Sequence, residues 1–148
     1  MATLQYSTKL RNAQMDMIMA VLKNLTVTSS AITGTATAPT MKIRSGALPE
    51  TCATADAGTV LATISLTTTA LTASASGTVA KNGTWQDLSA DATGDAGHFR
   101  IYDSAGVCHM QGDITASGGA GSLTLDNINI QAGQIVAITS FSLTAGNS

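Results

Sequence analysis

Hydrophobic periodicity changes once along this chain, near residue 25, and that change limits what the chain can fold into. Before it, apolar residues recur at helical spacing as Leu10, Ala13, Met17 and Val21, widened by Ile18, Leu22 and Leu25. Ser7 or Thr8 stands where an N-cap belongs, and no Gly or Pro follows until Gly34. Lys9, Arg11, Asp16 and Lys23 fall mostly off the stripe. After residue 25 no comparable stretch occurs. Thr, Val and Ile dominate short runs separated by Gly-bearing turns, which is the pattern of strands, about eight of them. Interleaved helices, which a parallel α/β sheet needs, are missing. The spacing predicts a mainly β single domain, a β-sandwich or jelly roll with an N-terminal α-helix. Residues 1–25 form the N-terminal arm and helix, and residues 26–148 the β domain.

Individual strands follow from side-chain parity. Residues 40–45 place Met41 and Ile43 on one face and Lys42 and Arg44 on the other. A loop with Gly46, Pro49 and Gly58 follows, then a strand over 59–66 with Val60, Ala62, Ile64 and Leu66 of one parity, opposed by Leu61. Residues 67–80 alternate only weakly, through Leu71, Ala73 and Ala75. Asn82-Gly83 marks a turn before Trp85. The clearest hairpin spans 98–111, where Asp103-Ser104-Ala105-Gly106 fits a type I turn. With Ser104 and Ala105 as the loop, Ile101 faces Cys108, Phe99 faces Met110, Arg100 faces His109 and Tyr102 faces Val107. Leu123 and Leu125 differ in parity from Ile128 and Ile130, so a turn or bulge is expected at Asp126-Asn127. Residues 134–144 form the strongest run, apolar on both parities from Ile135 to Ile138, and read as a central or sandwiched strand.

Composition narrows the function classes. Ala, Thr, Ser and Gly supply 75 of the 148 residues, charged residues only 11% and aromatics 3%, with net charge −2. A disordered charged tail is excluded by the low charge and the mean hydropathy of +0.22. Seven scattered Lys and Arg make no basic patch for nucleic acid. No apolar run has the roughly 18 residues of a membrane-spanning helix. The stretch 15–22 is interrupted by Asp16 and makes a poor export signal, so the chain is expected to fold in the cytoplasm. Two cysteines, Cys52 and Cys108, are too few for a disulfide framework, and a bridge between them has no support in the sequence.

Candidate chemistry is sparse. His98 and His109 fall with Arg100 on the outer face of the predicted hairpin, where exposed polar residues are expected; Cys108 points the other way, so a zinc ligand set is not assembled. No G-x-S-x-G, H-E-x-x-H or P-loop occurs. Glu50 is the only Glu, and Asp91, Asp95 and Asp103 belong to loops and turns. No catalytic residue, cofactor or metal is assigned. Trp85 suits a core position or, if exposed, sugar stacking. The surface that invites a partner is the Met-rich helix: Leu10, Met15, Met17, Ile18, Met19 and Leu22 are candidate interface residues, packing either on the chain's own sheet or on a partner.

Several segments resemble a family of small structural proteins of tailed-bacteriophage virions. They are Ser7-Thr-Lys-Leu-Arg-Asn-Ala13, Pro39-Thr-Met-Lys-Ile-Arg-Ser-Gly46, Ala57-Gly-Thr-Val-Leu-Ala62, Gly97-His-Phe-Arg-Ile-Tyr-Asp-Ser-Ala-Gly106, residues 123–130 and the run through Thr139-Ser-Phe-Ser-Leu143. The resemblance covers nearly the whole chain and rests on strands and turns. It implies a non-enzymatic virion protein, foremost a capsid decoration or cement protein. Such a protein binds the major capsid (coat) protein as a dimer or trimer, with no role for nucleic acid, membrane or cofactor. A tail, neck or fibre component is the alternative within the virion. A carbohydrate- or host-surface-binding β-sandwich is the alternative outside it, and it requires Trp85 or Tyr102 to be exposed.

Overall fold

A computed structural model describes residues 5–146. Helix α1 (Thr8–Leu22) begins where the sequence places it: Ser7 is the N-cap, and its hydroxyl accepts the Leu10 N–H at 3.2 Å. It stops without Gly. Asn24 takes the left-handed conformation at φ 56°, its N–H donating to the Val21 carbonyl while Leu25 donates to Ala20. This is a Schellman stop with Asn in the glycine position. The helix packs on its own chain. Met15 and Met19 bury against Val79 and Ala145, and Leu22 enters the main core.

The rest is mainly β, organised around one curled sheet. Its order is β4 (Val60–Ser65), β3 (Thr40–Ser45), β7 (Gly94–Tyr102), β8 (Cys108–Ala116) and β9 (Leu123–Leu125), with β10 (Asn129–Ile130) paired to the start of β7. Strands β3 and β7 are central, and their inward residues Met41, Ile43, Phe99 and Ile101 are almost fully buried. The outer edge of β4 is covered from the 87–91 segment. The Asp87 carboxylate accepts the Thr63 N–H at 2.8 Å, and the Asp91 N–H donates to the Leu61 carbonyl at 2.8 Å. Side chain and loop thus occupy an edge that would otherwise template another strand. β8 and β9 run parallel although only 117–122 connect them. Parallel neighbours ordinarily need a longer crossover. Here the chain doubles back against Thr115, where a Cβ at Gly119 or Gly121 would lie 2.5 or 2.8 Å from the Thr115 hydroxyl.

Among the described residues there are twelve short strands rather than about eight, and three two-stranded pairs flank the sheet. β1 (Thr26–Val27) pairs with β2 (Ile32–Thr33), β5 (Thr78–Ala80) with β12 (Ser142–Thr144), and β6 (Trp85–Asp87) with β11 (Val136–Ile138). The expected central strand over 134–144 is therefore two peripheral pieces. Ile135 is 62% exposed, so the double-sided apolar run does not mark burial on both faces. Residues 67–77 form no strand of their own, only isolated bridges such as Leu71 to Lys81. The break expected at 126–127 is present: β9 joins β8, while β10 crosses to β7. Trp85, Phe141 and Phe99 close the core, with ring centroids 5.3 Å apart for Trp85–Phe141 and 5.9 Å for the edge-on Phe99–Phe141 pair.

The expected hairpin register is corrected. The type I turn forms, with the Gly106 N–H donating to the Asp103 carbonyl at 3.1 Å. Gly106 then takes φ 82° and Asp103 pairs with Val107, adding one residue. A second irregularity follows between Ile101 and Tyr102, so Tyr102 faces Cys108, Ile101 faces Met110 and Arg100 faces Gln111. Cys108 therefore lies on the face of Arg100 and Tyr102, not on that of Ile101.

Tight approaches give a stability test. A Cβ at Gly58 (φ 71°) would sit 1.8 Å from the Ser45 carbonyl oxygen, whereas Gly83 (φ 72°) faces open space. Gly83→Ala is expected to cost about 1 kcal/mol, from the left-handed backbone alone. Gly58→Ala should cost about 3 kcal/mol or more, because strain and collision combine. Urea denaturation midpoints measure both, and equal losses would contradict the close approach.

Candidate functional site

Two regions concentrate features beyond plain packing: the outer side of α1, and the polar face of the central strands.

The helix is held in place by polar contacts as well as by its apolar side. Asn12 accepts the Gly77 N–H at 2.7 Å, and Asp16 accepts the Ser74 hydroxyl at 2.7 Å. Of the six candidate interface residues, Met15, Met19 and Leu22 are buried in the chain's own fold at 4, 9 and 5% exposure. They are corrected from partner contacts to core residues. The reason is phase: Met15 and Met19 lie off the stripe through Leu10, Ala13 and Met17, and it is their side of the helix that meets the core, leaving those three stripe residues exposed. Leu10 and Met17 remain 47% exposed, and Ile18 is half-buried beside them. Met15, Met17, Ile18, Val21 and Leu22 all line an open groove of about 650 Å³ that also takes in Val27, His109 and Ala145.

The second region arises from alternation. With Met41, Ile43, Phe99 and Ile101 facing inward, Arg44, His98, Arg100 and Tyr102 project to the opposite face. They are not exposed there, as the hairpin reading expected. Arg44 is 7% exposed, Arg100 1% and His98 0%, because the loop from residue 46 to 58 lies over them. Asp56 joins the cluster. Its carboxylate accepts from Arg44 Nη2 at 2.6 Å, from Arg100 Nη1 at 2.5 Å and from the Tyr102 hydroxyl at 2.7 Å. Arg100 Nη2 donates to the Thr51 and Thr54 carbonyls at 2.8 and 2.9 Å, and its Nε donates to Gln111 at 3.0 Å. Gln111 in turn donates to the Pro49 carbonyl at 2.6 Å. Arg44 Nη1 reaches the Gly58 carbonyl at 3.2 Å. Lys42 sits 5.3 Å from the Tyr102 ring centroid.

Electrostatics follow from this geometry. Burial by itself would raise the Asp56 carboxyl, but the Tyr102 hydroxyl and the two guanidiniums outweigh it and hold the group below the ordinary carboxylate range. Burial pushes His98 below its ordinary value, with Arg44 and Arg100 reinforcing the shift. His98 Nδ1 lies 3.1 Å from the Gly46 carbonyl, an acceptor, so Nδ1 carries the proton. That carbonyl approaches so closely only because residue 97 is Gly, where a Cβ would stand 2.0 Å from its oxygen. His98 Nε2 is buried with no protein partner, so a second proton would create an unsatisfied N–H beside two cations. At the hairpin turn Asp103 accepts the Ala105 and Val107 N–H groups at 2.9 Å each and pairs with His109 Nε2 at 3.0 Å. The two histidines thus serve separate structural contacts. Trp85 and Tyr102 are 2 and 6% exposed, so neither offers a stacking platform, and the carbohydrate-binding alternative loses its support.

The sequence signal for this second region was the parity of Lys42, Arg44, His98 and Arg100. It marked a polar face without showing what covers it. Asp56 carried no signal within its own loop. Comparison with protein-family models, curated proteins and solved structures finds no match to this chain.

Two outcomes test the cluster. Asp56→Ala leaves two buried guanidiniums without their shared carboxylate; because Asp56 is 39% exposed, the expected loss is about 1–3 kcal/mol, less than for a fully buried pair. Acidification should reduce stability in two stages. His98 has a lowered folded value, so below about pH 6.5 the unfolded chain binds a proton that the native chain refuses, and stability falls until the folded value is reached. Asp56 and Asp103 contribute stability that is full above about pH 4 and is lost as pH falls through their lowered folded values. His98→Asn, which keeps a donor near Gly46, should remove the first stage in thermal melts across pH 4–8. An unchanged slope would refute the assignment.

Proposed function

We propose that the chain is a non-enzymatic structural protein of a tailed-bacteriophage virion, a capsid decoration or cement protein that binds the coat-protein shell and stabilises it. The segments that resemble small phage virion proteins motivate this reading. The observation that carries it furthest is the outer side of α1: Met17 stays exposed at an open apolar groove, and Leu10 stays exposed on the same helix, although that helix already fills the core. Leu48, Leu88, Val107 and Ile135 add isolated exposed apolar positions on a surface poor in charge. Such a surface loses little desolvation energy on docking. Weak sites of this kind become effective when many copies engage one lattice. Self-association as a dimer or trimer belongs to the same proposal. So does a jelly-roll-like sandwich, in which the flanking pairs β5–β12 and β6–β11 form the second layer over the curled sheet.

Quantitative mass spectrometry of purified virions that carry this chain tests the reading. A decoration role requires on the order of hundreds of copies per particle, as multivalent coverage demands. Copies in single digits or low tens, with labelling confined to the tail, would replace it with a tail, neck or fibre role. Leu10→Asp combined with Met17→Asp should weaken binding to particles about tenfold or more while shifting stability by no more than about 0.5 kcal/mol, since both residues are surface positions. Unchanged binding would place the contact elsewhere.

A further inference from the structure

Two thiols stand at the rim of the arginine cluster. Cys108 opens β8 directly opposite Tyr102, on the face shared with Arg100 and Gln111. Its Sγ lies 3.5 Å from the Met110 carbonyl oxygen. Cys52 lies in the covering loop, flanked by the anchored carbonyls. Arg100 holds those of Thr51 and Thr54, and Gln111 holds that of Pro49. These bonds fix the loop on both sides of Cys52, over the strand face that Cys108 shares with Arg100 and Gln111, and make the two thiols neighbours. Both cysteines are partly exposed and unbridged.

We infer that Cys52 and Cys108 are a redox-closable pair, which a low-molecular-weight disulfide converts to an intrachain bridge clamping the 46–58 loop onto β8. The chemistry is two thiol–disulfide exchanges. The Cys52 sulfur attacks the small disulfide, forming a mixed disulfide and releasing one small thiol. The Cys108 sulfur then loses its proton to solvent and attacks Cys52 Sγ, expelling the second small thiol. The protein loses two hydrogens and two electrons, and the small disulfide gains them. Burial, with the neighbouring Cys52 adding to it, pushes the Cys108 thiol up to about 11, so Cys108 remains protonated at neutral pH and acts second. The closing step therefore accelerates as pH rises. Cys52 and Cys108 are far apart in sequence, so the bridge constrains a long segment of the unfolded chain.

The test treats the full chain with oxidised glutathione at about pH 8, near the range where thiols exchange, followed by intact-mass and peptide analysis. The expected product has lost the mass of two hydrogens, carries a Cys52–Cys108 cross-link and melts about 5–15 °C higher, reversibly with dithiothreitol. The Cys108→Ser chain should stall with one glutathione on Cys52. A persistent adduct on the wild-type chain, a bridge between two chains, absence of reaction, or a bridged chain whose melting point is unchanged or lower would each overturn the inference. An adduct-free Cys108→Ser chain would overturn Cys52 as the entering thiol. None of this chemistry requires a virion role, so its failure and that of the proposed function are read separately.

Discussion

Two guanidiniums buried on the central strands and answered by one carboxylate constrain the rest of the sheet's outer face. Arg44 and Arg100 stand on β3 and β7, where the strand period sends them away from the apolar core. Removing an arginine from water is costly unless its donors are used. Arg100 satisfies this through Asp56, Gln111 and the Thr51 and Thr54 carbonyls, and so dictates the path of the loop that covers it. Tyr102 and His98 then fall beneath the same cover, and Cys52 is held over the face of the sheet on which Cys108 stands. Removing one side of such a network leaves the other desolvated and unpaired, which is why the loop behaves as part of the sheet although it has no strand of its own.

On the inner face the chain meets a different problem, a shortage of large side chains. Aromatics make up 3% of the residues, and three of the five meet in one place, Trp85, Phe141 and Phe99. Trp85 needs a partner for its indole N–H and shares it between the Ala70 and Asn82 carbonyls, each at 3.2 Å. That shared bond ties the strandless 67–77 region to β6. The core is completed by Met41, Ile43, Leu61, Ile64 and Ile130, all fully buried. A small-residue sequence thus builds its interior by concentrating its few large groups where the sheet and the short pairs meet.

Legibility in the sequence followed the length of each signal. The helix was legible from its N-cap through its apolar stripe, because seven apolar positions repeat one period. The faces of β3 were legible for the same reason, as were the turn at 103–106 and the break at 126–127, where Asp and Gly or a change of parity leave few options. The β7–β8 register was not legible: a left-handed Gly106 and a further irregularity each add one residue, and neither alters the hydrophobic pattern. The 134–144 run misled because a short apolar stretch looks alike whether its residues are buried or, as with Ile135, exposed.

Residue by residue, the sequence determined that this chain would be one amphipathic helix and a series of short strands, with Arg44, His98 and Arg100 on a face apart from Met41, Ile43, Phe99 and Ile101. Local periodicity is encoded by neighbours, and neighbours suffice to read it. Only the tertiary structure decided that Met15, Met19 and Leu22 turn into the chain's own core while Leu10 and Met17 stay outside. It also decided that the polar face is covered rather than solvated, and that Asp56 is the carboxylate that answers both arginines. The helix outcome depends on contacts with Val79, Ala145 and the main core, and the polar-face outcomes on contacts between residues 44, 56 and 100; such pairings are set by loop closure and desolvation, and no local pattern carries that information.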